Sequence, residues 1–245
     1  MSETMNIWLL SAYRADSHAS WADWLQANLA DINWRVLELP GRHFRWRIRG
    51  NPISWLHALP KQNPDLILAT SMVDLSTLKG LHPRLADVPS IYYFHENQFA
   101  YPVSKIQLKS VEPKMVQLYG ALAADRLLFN SGFNRDSFMQ GIDELLTQLP
   151  DQVPAGITDS LRDKSSVLPV AVEPLNVSSN AVEQKDPGLI LWNHRWEYDK
   201  APEVFADALS ILKHSGVGFR LALLGARPRV APEALEQSEQ TCAGN

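Results

Sequence analysis

Apolar and polar positions along the chain switch repeatedly between short buried runs and a three-to-four-residue spacing. Residues 6–10, with Ile7, Trp8, Leu9 and Leu10, predict a first buried strand. Residues 11–18 are polar and predict a turn. Trp21, Trp24, Leu25 and Leu29 then fall at helical spacing, with Ser17 or Ser20 as the N-cap. Residues 34–40 predict a second strand. A strand, turn, helix and strand in this order imply a parallel sheet with helices on its faces.

The alternation continues. Residues 65–71 predict a strand and turn, 75–81 a short helix, and 89–94 a β-rich run. Residues 105–124 predict a long helix with Met115, Leu118, Tyr119 and Leu122 inward. A strand at 125–129 leads into a helix capped within 130–138. Residues 141–165 predict a helix end and loop, and 167–173 a further strand. The polar stretch 174–187 is the expected linker. Beyond it come a strand at 188–191, a polar turn at 192–200, and a helix with Val204, Phe205, Ala208, Leu209 and Leu212 inward. Pro202 suits its early turn, where no N–H is needed. A last strand is expected at 219–225. The expected class is α/β, with an N-terminal domain at 1–173 and a C-terminal one at 188–245.

Composition narrows the function. At 45% hydrophobic and 20% charged, the 245 residues are those of an ordinary globular protein. The net charge of -4 means that any nucleic acid must meet a local patch. A single cysteine, Cys242, excludes a disulfide framework and a cysteine-rich zinc site, which fits a reducing, cytoplasmic location. The start of the chain is acidic, and its apolar run is too short for a signal peptide. No apolar run approaches the roughly 20 residues of a membrane span, so no membrane partner is expected. No feature sets an oligomeric state.

Candidate chemistry sits at strand ends. The first turn has no G-x-G-x-x-G, so no dinucleotide site is expected there. Ligands of such sheets lie at the carboxyl ends of strands, which makes Ser11, Tyr13 and His18 candidate ligand-facing residues. His18 could equally be a satisfied first-turn histidine. Residues 41–52 carry Arg42, Arg45, Arg47 and Arg49 among aromatics. In an extended chain, Arg45, Arg47 and Arg49 share one face, with Phe44, Trp46 and Ile48 on the other. Arginines beside aromatics suit an RNA backbone and its bases; a solvated strand face is the alternative. His95 and Glu96 end a buried strand, where they can meet a sugar hydroxyl or cap the next element. No H-E-x-x-H follows, which excludes a zinc protease, and no metal is expected. In the 192–200 turn, Arg195 offers a planar fork and Lys200 a point charge, which suits a diphosphate before a helix N-terminus. Solvated charges beside Glu197 and Asp199 are the alternative.

These strings together resemble one family. P-G-R-H-F-R-W-R-I-R-G-N at residues 40–51, Y-F-H-E-N-Q at 93–98 and W-N-H-R-W-E-Y-D-K at 192–200 resemble the tRNA-queuosine α-mannosyltransferases. These in turn look like the family 4 retaining glycosyltransferases. The resemblance implies two Rossmann-like domains of the GT-B type. It implies transfer of mannose from GDP-mannose to queuosine in tRNA, with retention and no cofactor beyond the donor. By this likeness Arg195 and Lys200 match the diphosphate-neutralising pair, with Asn193 and Ser131 also on the donor side. Ser131 and Pro169 fall at matching strand-end turns. His95, with Glu96, matches the catalytic region near the transferred sugar. Ser11, Tyr13, His18, Arg42, Arg45, Arg47 and Arg49 fall to the acceptor, a tRNA. The family's second domain continues into an E-x7-E motif. Here Glu233, Glu236 and Glu239 lie in a polar tail, 226–245, not expected to form strands and helices, so a truncated second domain is expected. The alternatives are a related glycosyltransferase with another donor or acceptor, and a non-catalytic RNA-binding remnant.

Overall fold

The computed structural model describes residues 4–102, 110–149, 151–173, 186–225 and 233–242. They form two compact units, one reaching Glu173 and one from residue 186 onward. Most of the expected linker at 174–187, and the first part of the helix expected from 105, lie outside the described residues.

In the first unit, β1 (Met5–Arg14) leads to α1 (Asp16–Asn28), β2 (Ile32–Pro40) and α2 (Phe44–Ser54). β3 (Leu66–Thr70), α3 (Leu75–Leu81), β4 (Ser90–Phe94) and α4 (Glu112–Ala123) follow. β5 (Arg126–Phe129), α5 (Gly132–Thr147), α6 (Ile157–Asp163) and β6 (Ser165–Val167) complete it. The strands build one parallel sheet in the order β2-β1-β3-β4-β5-β6. Its order reverses between β1 and β3, and a crevice forms outside the carboxyl ends of the strands at such a reversal. Leu9, Leu10, Ile67, Ala69, Tyr92 and Phe94 are sealed between the helical layers. Fully burying a side chain of Leu size stabilises by about 1.5–3 kcal/mol, so this sheet is the rigid base of whatever its edge carries.

Several expectations change. The basic run 44–49 is the start of helix α2, not a strand. Phe44, Ile48 and Trp55 follow a 3.6-residue period and pack against the main core, so tertiary burial selects the helix over the R-x-R-x-R alternation. Pro52 cannot supply the N–H that Ile48's carbonyl needs; the Nδ2 of Asn51 donates to that carbonyl at 3.2 Å instead. The same amide donates to Arg47 and Met72, and its oxygen accepts from the Asp74 N–H, tying α2 to the turn after β3. α1 starts after Ala15 without a side-chain cap, not at Ser17 or Ser20. α4 begins at Glu112 and buries Val116, Leu118, Gly120 and Ala121, while Tyr119 and Leu122 are exposed. Gly120 sets this face: a Cβ there would lie 2.8 Å from the Tyr92 ring. The last strand of the sheet is Ser165–Val167, not 167–173, because only these residues pair with β5. Helix α6 lies within the stretch expected to be mostly loop.

In the second unit, β7 (Leu189–Asn193) pairs in parallel with β8 (Arg220–Leu224). α7 (Pro202–His214) and α8 (Glu233–Cys242) accompany them. α8 corrects the expectation of an irregular tail: its Leu235 joins Trp192 and Trp196 in a small core. Among the described residues, no helix is long and apolar enough to cross a membrane.

Candidate functional site

Burial without hydrogen bonding marks His95. It follows β4, and both of its ring nitrogens are buried with no hydrogen-bond partner among the described residues. Such atoms normally find partners, because an orphaned buried polar group costs about 1–3 kcal/mol. Rings surround it. His18 lies 4.2 Å away, Trp21 4.7 Å and Tyr93 4.8 Å, all centroid to centroid. Local periodicity assembles this cage. His18 and Trp21 stand one turn apart on α1, and Tyr93 and His95 project to the same side of one extended run.

His18 is fully engaged. Its Nδ1 donates to the Tyr13 carbonyl at 3.0 Å, and its Nε2 lies 3.3 Å from a Glu96 carboxylate oxygen. Only the imidazolium donates to both, so the geometry favours a His18–Glu96 ion pair. Desolvation alone lowers the pKa of His18; the Glu96 hydrogen bond and charge, with the Tyr13 carbonyl, outweigh it and leave it raised. For His95, burial first and the His18 charge second lower the pKa to about 2. The cage therefore sets an imidazole whose proton is favoured by Glu96 against one that burial keeps neutral. A neutral, dry imidazole can exchange hydrogen bonds with a hydroxyl. It carries no charge to offer a phosphate.

The loop after β4 is held by amides. Asn130 donates to the His95 carbonyl at 2.6 Å, and Asn134 donates to the Phe94 carbonyl at 3.0 Å. Asn97 donates to Asn134 and accepts from the Phe99 and Ala100 N–H groups. Ser71, after β3, donates to the Glu96 carbonyl. Ser131 is the N-cap of α5, accepting from the Asn134 N–H at 3.2 Å.

The structure thus brings together His18, His95 and Glu96 from the expected set. Tyr13 joins through its carbonyl, and its ring meets Phe44 edge-on. Ser11 is 1% exposed on β1, with a buried Oγ that has no hydrogen-bond partner among the described residues. The arginines separate, Arg42 before helix α2 and the other three on it. Arg49 pairs with the buried Asp74, Arg47 is half-buried with an Nε that has no partner among the described residues, and Arg42 and Arg45 are exposed. Sequence reasoning placed Trp21 only as a packing residue and did not reach the Asn97–Asn130–Asn134 network. The spacing of Trp21 from His18 was the available signal for the first.

In the second unit, Trp192 and Trp196 flank the turn and stack at 4.9 Å, with Phe205 4.6 Å from Trp192. Their burial fixes the backbone that carries Asn193 and Arg195, both exposed. The turns after β7 and β8 touch: Gly225 has φ +105°, and a Cβ there would lie 2.8 Å from the His194 carbonyl oxygen. Arg195 meets Glu197 at 3.0 Å and Lys200 meets Asp199 at 3.0 Å. The first pair is half-exposed and worth at most about 1 kcal/mol, so an anion can displace Glu197 readily. The helix end adds less than its position suggests. Pro202 has no N–H, and the Val204 and Phe205 N–H groups turn back to the Ala201 carbonyl.

The two imidazoles predict opposite pH dependences. An unfolded histidine binds its proton near pH 6.5, whereas folded His95 refuses it down to about 2. Below pH 6.5 the unfolded state gains the proton, so stability falls with pH by about 1.4 kcal/mol per unit from this group. His18, raised, contributes fully below the unfolded value and loses its contribution as pH climbs through the folded one. Urea unfolding at pH 6.5 and 4.5 is expected to show a fall in stability that is clearly smaller in His95→Gln. An equal fall in both proteins contradicts the assignment.

Residues 6–172 match the family model described as tRNA-queuosine alpha-mannosyltransferase N-terminal. A tRNA-queuosine alpha-mannosyltransferase of Drosophila melanogaster is 30% identical, over 96% of this chain. The chain spans 65% of that relative's length.

Proposed function

Because the chain belongs to the tRNA-queuosine alpha-mannosyltransferase family, we propose that it transfers mannose from GDP-mannose to queuosine in tRNA, with retention, through a GT-B arrangement of Rossmann-like domains. The observation that carries this reading is His95, neutral and without a hydrogen-bond partner among the described residues, in its ring cage at the carboxyl edge of the sheet. An imidazole kept dry and uncharged suits a sugar hydroxyl.

Each unit takes its own part. His95 would exchange hydrogen bonds with the transferred sugar or the acceptor hydroxyl. Glu96, held by the His18 cation, would fix that edge. His18 therefore acts on Glu96 and not directly on the acceptor, since both of its nitrogens are used. Arg195 and Lys200 would bind the diphosphate and offset the charge that builds as GDP departs, which requires no metal. Asn193 stands beside them on the same strand end. Ser131 would stand on the donor side while its Oγ caps α5. The exposed Arg42 and Arg45 would meet tRNA phosphates.

A calorimetric titration separates the donors. GDP-mannose is expected to bind more tightly than UDP-glucose. Equal or reversed affinities, with a folded protein, would favour a glycosyltransferase of other donor specificity.

A further inference from the structure

Helix α2 has a feature that its arginines alone do not explain. Trp46 is 53% exposed, yet its indole has a fixed seat. A Cβ on Gly50 would lie 2.5 Å from Trp46 Cε2, so the ring lies against the helix backbone at Gly50. Any residue but glycine would push it away. Trp46 therefore presents a held aromatic surface to solvent.

Its surroundings are basic. No Asp or Glu occurs between Glu38 and Asp65, in a chain whose net charge is -4. Arg42 and Arg45 are exposed and make no ion pair among the described residues, while Arg49 is taken by Asp74. The N-terminal end of α2 stands beside the end of β1 through the Tyr13–Phe44 contact. Tyr13's carbonyl in turn holds His18 of the cage.

We propose that this face of α2 binds RNA in a single-stranded loop, with Trp46 stacking on one unpaired base and Arg42 and Arg45 meeting the phosphates on either side. The proposal deepens the acceptor side of the function proposed above. Stacking needs a base that has left its helix, so the surface selects loops over duplexes. Two copies of the chain would bring like charges together here, which disfavours a dimer through this face.

The test is fluorescence anisotropy with a labelled stem-loop RNA carrying a seven-base loop, against an RNA duplex of equal charge. The wild type is expected to prefer the loop. Trp46→Ala is expected to weaken loop binding on the order of tenfold to a hundredfold with an unchanged salt slope. Trp46→Phe should recover part of it. Arg45→Ala should instead lower the salt slope by about 0.7 to 0.9. Loop binding by Trp46→Ala equal to wild type overturns the proposal. So does an equal loss for loop and duplex, a wild-type chain that binds no RNA, or a dimer that dissociates in Trp46→Ala. Mannose transfer with Trp46-independent RNA binding would sink this proposal alone. Trp46-dependent RNA binding without transfer would sink only the transferase reading.

Discussion

His95→Ala is expected to lower mannose transfer on the order of a hundredfold to a thousandfold, with tRNA affinity within about twofold of wild type. The reason is the state in which the fold keeps this ring. Three aromatic neighbours exclude water from it, and the Asn130 amide holds its backbone carbonyl. It is neutral across the working pH range, so one nitrogen donates and the other accepts. A ligand hydroxyl can take up both functions without desolvation, which the fold has already imposed. Alanine removes them and leaves a gap beside the stacked Trp21 and Tyr93 rings. His95→Gln restores a donor and an acceptor, and should recover part of the rate. A variant that loses tRNA binding in parallel with transfer would place His95 in acceptor docking instead. Steady-state kinetics beside RNA binding distinguish the two.

Arg195→Ala is expected to weaken binding of both GDP and GDP-mannose on the order of a hundredfold. A planar guanidinium can give a diphosphate two charge-assisted hydrogen bonds. At about 1.5 kcal/mol each they sum to about 3 kcal/mol, roughly two decades of affinity. The competing pair with Glu197 is half-exposed and subtracts little. Arg195→Lys keeps the charge but not the fork and should fall between. Glu197→Gln should leave binding unchanged or slightly stronger. Because both ligands carry the diphosphate, a defect confined to GDP-mannose would contradict the assignment and point to a sugar contact. Calorimetry reads all four proteins.

Much of the sheet was legible because buried parallel strands read as apolar runs. β1, β3, β4, β7 and β8 each contain one, and their carboxyl ends carry His18, Ser71, His95 and Arg195 or lie beside them. Period was the weak point where two periods fitted. At 44–49 the arginines alternate, yet Phe44, Ile48, Asn51 and Trp55 repeat every three to four residues, and packing obeyed the second pattern. On α4 the small residues Gly120 and Ala121 face the core beside Tyr92, so the buried face lies about one position from the one marked by the large apolar residues. The His18–Glu96 ion pair joins distant segments, so no local pattern announces it. It engages one ring nitrogen of His18, while the Tyr13 carbonyl takes the other. In the 226–245 tail, Ala234 and Leu235 are the only buried apolar residues among those described, too few to stand out in the sequence although enough to dock α8.

The most direct measurement is transfer of isotope-labelled mannose from GDP-mannose to tRNA that contains queuosine, followed by digestion to nucleosides and mass analysis. The account predicts a mannosylated queuosine nucleoside with the wild-type chain, none with tRNA lacking queuosine, and little with His95→Ala or Arg195→Ala. A folded wild-type chain that binds GDP-mannose and this tRNA, yet leaves queuosine unmodified, would contradict it.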